Sequence, residues 1–167
     1  EPEALHPDED QDRLGGSVLH TAPLGTRGEW ASALVYGANQ RRPHEGPAGD
    51  WQHSVILESN LQLDAANTVF GRVEYVRKAG DDLALPAPLT EQEFDVGALS
   101  FGYVRELARF GGATAGIGAR GAINFVPEDL KGEYGSRTPL GLAVFVRVRP
   151  ALLEGVGPHT MDPHMHH

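Results

Sequence analysis

Apolar and polar residues alternate along seven segments of this chain, and the connections between them are alternately short and long. Segment 51–64 shows the pattern best. Trp51, His53, Val55, Leu57, Ser59, Leu61 and Leu63 share one parity, and Gln52, Ser54, Ile56, Glu58, Asn60, Gln62 and Asp64 share the other. Successive strand side chains point to opposite faces, so this segment has one apolar face and one polar face broken only by Ile56. In 114–125, Ala115, Ile117, Ala119, Ile123 and Phe125 oppose a file of small residues carrying Arg120. In 140–149, Leu140, Leu142, Val144, Val146 and Val148 oppose Gly141, Ala143, Phe145, Arg147 and Arg149. Short connections fall at 23–28, 65–66 and 108–113, and long ones at 40–50, 79–92 and 126–138. The run 128–135 reads as loop with a helical turn.

Such alternation is shared by soluble antiparallel sheets, which turn the apolar face to a core. Three features favour a membrane barrel. The segments run about 10–14 residues, against a globular mode of about 5–6 and the 9–11 that a tilted transmembrane strand needs. The connections sort strictly by length, as the turns and outer loops of a barrel do. Trp51, Tyr75, Phe125 and Tyr36 lie towards the long-loop ends and Trp30 and Tyr103 towards the short turns, like two interfacial girdles. The predicted fold is all-β, an antiparallel up-and-down meander forming a transmembrane β-barrel or part of one.

Composition agrees with this. The chain has 40% hydrophobic residues and no apolar run long enough for a transmembrane helix, and a barrel hides its hydrophobicity by alternation. With no cysteine, neither a disulfide framework nor a thiolate metal site can form. A formal charge of −9 argues against a nucleic-acid partner bound through a basic surface. Three regions are expected: an acidic outer loop or tail over 1–13, barrel strands over 14–150 and a His/Met-rich tail over 151–167. Residues 1–13 lack the features of a signal peptide, and seven strands is odd for a bacterial barrel. The chain therefore reads as the closing part of a larger barrel.

The runs 67–78 (NTVFGRVEYVRK), 100–105 (SFGYVR) and 116–121 (GIGARG) resemble the closing strands of bacterial outer-membrane β-barrel proteins. The resemblance spans about residues 14–150. It implies a location in the bacterial outer membrane, long outer loops, and outer-membrane lipid and the barrel assembly machinery as partners. Barrels of this kind often end in an aromatic residue. This chain instead continues through Pro150 into the tail.

With the long loops outward, the polar files become lumen-lining, bringing Glu58, Arg72, Glu74, Arg120, Arg147 and Arg149 inside. Across the turn at 65–66, Glu58 falls directly opposite Arg72 or diagonal to it, within reach of an ion pair. On the other face Leu57, Leu61, Val73, Leu142 and Val146 would meet lipid.

The tail carries His159, Met161, Asp162, His164, Met165, His166 and His167. Imidazoles suit late divalent metals and thioethers suit Cu(I), so copper or another late transition metal is the candidate ligand, with no cofactor required by the barrel. No catalytic residues are expected. His6, His20, His44 and His53 are scattered, and 116–121 matches Gly-x-Gly-x-x-Gly only by letter, inside a strand with no following helix. The functional reading is an outer-membrane barrel, not an enzyme, serving passive passage or an envelope structural role, with a metal-related duty at its tail. The alternative is a soluble β-barrel holding a small apolar ligand.

Overall fold

A computed structural model describes residues 9–150. The strands are β1 (Glu9–Leu24), β2 (Gly28–Pro43), β3 (Trp51–Gln62), β4 (Asn67–Ala79), β5 (Glu93–Phe110), β6 (Ala113–Phe125) and β7 (Leu140–Pro150). They form one seven-stranded antiparallel sheet in chain order, the expected meander. The sheet is not closed. β1 and β7 are its edges, and part of a barrel is compatible with this shape.

The turn chemistry follows the residues. Gly111 and Gly112 both have positive φ (52° and 79°), as a two-residue turn whose twist matches its strands requires. At the β3–β4 turn, Asp64 Oδ1 accepts the backbone N–H groups of Ala66 and Asn67 at 2.7 and 2.8 Å. The Asn67 side-chain amide donates to the same carboxylate, and that contact foremost, with the two backbone bonds, holds the Asp64 carboxyl below its ordinary value. The long loops cover 44–50, 80–92 and 126–139; the last contains a 3₁₀ turn, Glu128–Leu130, and one helical turn, Lys131–Tyr134.

β1 begins at Glu9, earlier than the start of apolar alternation at Leu14. β2 runs on to Pro43 and supplies partners for this acidic stretch, including Arg42, whose guanidinium meets Asp12 at 2.6 Å.

Register puts like with like. Val18, Leu34, Leu57, Val73, Leu99, Ile123 and Leu140 form one row across all seven strands. All belong to the exposed outer face, where Leu142 is 92% and Val146 74% accessible. The sheet curls towards its other face, so that Phe70 of β4 and Phe145 of β7 meet with ring centroids 6.3 Å apart. Few large apolar side chains are buried. Leu85, Phe94, Val126 and Leu130 form a small cluster where loops 80–92 and 126–139 fold over the inner face, and Val104 is buried beside the two phenylalanines.

Candidate functional site

Each inner-face residue follows from strand parity and register. Glu58, Arg72, Ser100, Ala122 and Gly141 share one row, with Ala33 before them on β2. Glu58 and Arg72 are therefore direct partners, and Arg72 donates to Glu58 Oε1 at 3.1 Å and to Glu74 Oε2 at 2.7 Å. The next row holds Asn60, Phe70, Gly102, Arg120 and Ala143.

Glu106, Gly116 and Arg147 form a further row. With no side chain on Gly116, the carboxylate reaches over β6, and Glu106 Oε1 accepts from Arg147 and, at 3.1 Å, from Arg149. Glu106 is 5% accessible at its side chain, the most buried charge of the group. It precedes a register shift between Glu106 and Ala108, where β5 carries an extra residue.

Aromatic rings seat on glycines opposite them. A Cβ on Gly118 would lie 2.5 Å from Phe145 Cζ and 2.8 Å from Val104 Cγ2, and one on Gly102 would overlap Phe70. Glycine at these two positions lets the rings lie flat enough to meet across the trough. Around them is a cavity of about 600 Å³ lined by inner residues of all seven strands, among them Thr21, Ala33, Glu58, Arg72, Arg120, Phe145 and Arg147.

The long-loop end is capped. Arg41, at the end of β2, pairs with Asp81 at 2.8 Å and Asp82 at 3.2 Å, tying loop 80–92 to the sheet. The Arg41 guanidinium holds the Asp81 carboxyl below its ordinary 3.8, against the opposing effect of burial. Beneath this loop a second cavity of about 360 Å³ lies between Glu74, Val96, Val126 and Tyr134.

On the outer face the aromatics fall in rows. Tyr36, Val55, Tyr75 and Phe125 lie across one row through Gly97, and Trp30 and Tyr103 share another nearer the short turns. Their polar tips are answered: Tyr75 donates to Asp95 at 2.7 Å, Tyr36 meets His53 at 2.8 Å and Trp30 donates to Ser59 at 2.8 Å.

All six expected charges, Glu58, Arg72, Glu74, Arg120, Arg147 and Arg149, thus have inner-face register. Glu106, Phe70 and the glycine seats are additions that sequence reasoning passed over. The parity of β5 carries Glu106 inward, and that signal was legible. The metal candidates His159, Met161, Asp162, His164, Met165, His166 and His167 lie outside the described residues. Among the described residues, no group of three or more His, Cys, Asp or Glu side chains is placed to hold a metal. His20 packs edge-on against Trp30 and His53 stacks on Tyr36. No helix among the described residues is long and apolar enough to cross a membrane, which says nothing of strands. No family model, curated protein or solved structure matches the chain.

Proposed function

We propose that the chain supplies strands of a bacterial outer-membrane β-barrel with a passive passage or envelope structural role. The carrying observation is the direction of the apolar face. Leu57, Val73, Leu142 and Val146 stand exposed on the outside of the curl, in a continuous apolar file across every strand, a surface that soluble monomers rarely leave uncovered. A soluble ligand-binding barrel would turn these residues inward. Its cavity would be apolar, whereas this trough carries three arginines and a glutamate. Trp30 and Gln40, the latter paired with Trp51, bracket the belt. They are ten residues apart on β2, so at about 3.4 Å per residue and a tilt of 35–45° the aromatic limits span roughly 24–28 Å, near the height of an outer-membrane belt.

The test is solubility and vesicle association of the full-length chain. It should require detergent, and refold into phospholipid vesicles and float with them. A monodisperse monomer in water without detergent would overturn the reading. A metal-related duty for the tail rests on residue types alone. Titration calorimetry with Cu(I) and Cu(II), comparing the full chain with one ending at residue 156, tests it: binding lost on truncation supports it, and equal binding removes it.

A further inference from the structure

The inner-face guanidiniums differ in what answers them. Arg72 is held between Glu58 and Glu74, and Arg147 and Arg149 converge on Glu106. Arg120 is exposed in the 600 Å³ cavity and makes no ion pair or hydrogen bond to any described residue. Its row neighbours Asn60, Phe70, Gly102 and Ala143 are all uncharged. These groups bring four guanidiniums against three carboxylates and leave one positive charge, within a chain whose formal charge is −9. Beside Arg120 stands the aromatic surface of Phe70 and Phe145.

We propose that this cavity takes a small organic monocarboxylate, its carboxylate on Arg120 and its apolar body against Phe70 and Phe145. The inference rests on the reading of the trough as the barrel's solute-facing side. A guanidinium presents two parallel N–H donors matched to the two oxygens of a carboxylate. The cavity's own carboxylate, Glu58, is already engaged by Arg72 and leaves Arg120 open to an outside anion. Asn60 and Ser100 add neutral polar groups to the same wall. An organic cation would meet Arg120 uncompensated.

The experiment titrates the full chain in a non-ionic detergent with benzoate, benzylammonium and benzyl alcohol, followed by calorimetry and ligand-observed NMR. Benzoate should saturate and benzylammonium should not, with benzyl alcohol weaker than benzoate. Arg120→Gln should weaken benzoate by roughly tenfold or more, the scale of a lost charged hydrogen bond, and Arg120→Lys should keep part of the affinity. Arg27→Gln, in the β1–β2 turn, should change nothing. Unchanged benzoate affinity in Arg120→Gln, or equal saturation by benzylammonium, overturns the proposal. Arg120-dependent benzoate binding by a chain that needs no detergent would uphold the site and remove the membrane reading, so the two failures are separable.

Discussion

Phe70 and Phe145 touch across the inner trough, ring centroids 6.3 Å apart, although two strands lie between theirs in the sheet. Neighbouring strands lie about 4.8 Å apart, so β4 and β7 in a flat sheet would be roughly 14 Å apart. The contact records how tightly the sheet curls, and Gly102 and Gly118 make the room for it. Gly118→Ala should therefore destabilise by about 1–3 kcal/mol through overpacking. Phe145→Ala in the same chain should recover part of that loss, a coupling that urea unfolding of the two single variants and the double variant would detect.

The outer face should refuse charge. Leu57→Arg puts a cation in the middle of the apolar belt and in a barrel should cost about 2–4 kcal/mol on insertion, whereas Val144→Arg, in the row of Trp30 and Tyr103 at the edge of the belt, should cost about 0–1 kcal/mol. A change at Pro47, in loop 44–50, should leave insertion untouched. Refolding yield into vesicles measures this, and equal yields for all variants would contradict a lipid-facing belt.

Two inner ion pairs should differ in weight. Glu58 is half exposed, so Glu58→Ala should cost no more than about 1 kcal/mol. Glu106 is nearly buried, and Glu106→Ala leaves Arg147 and Arg149 facing each other without their shared carboxylate. Loss of one partner of a buried pair costs about 3–5 kcal/mol. Denaturant midpoints of the two variants should separate in that order.

Acid should release loop 80–92. The folded-state pKa of Asp81 is depressed by Arg41, so the latch contributes its stability above the unfolded value of about 3.9 and loses it as pH falls through the folded value. Protection of the loop amides, taken relative to their intrinsic exchange rate at each pH, should fall over that acid window in the parent chain. In Asp81→Asn, protection should already be lower near neutrality, and the acid-dependent loss should shrink.

Strand order, the alternation of faces and the sorting of connections were readable from the sequence because strand geometry has a period of two and turns need particular residues. The short connections at 65–66 and 108–113 were legible as such, while the Asp64 bonds and the positive φ of Gly111 and Gly112 that close them appear only in the structure. The pairing of Glu58 with Arg72 followed from the short turn between their strands, which leaves little choice of register. What tertiary structure decided was everything that depends on curvature. Nothing in a single strand says that Phe70 of β4 will meet Phe145 of β7, that Gly102 and Gly118 are seats for rings, or that Glu106 will reach over Gly116 to two arginines beyond it. Nor does the alternation say which face lies inside the curl. Period two separates the residues into two files, and only the bending of the sheet, set by strand twist and by which side chains are small enough to crowd, turns one file into a wall around a cavity and leaves the other exposed.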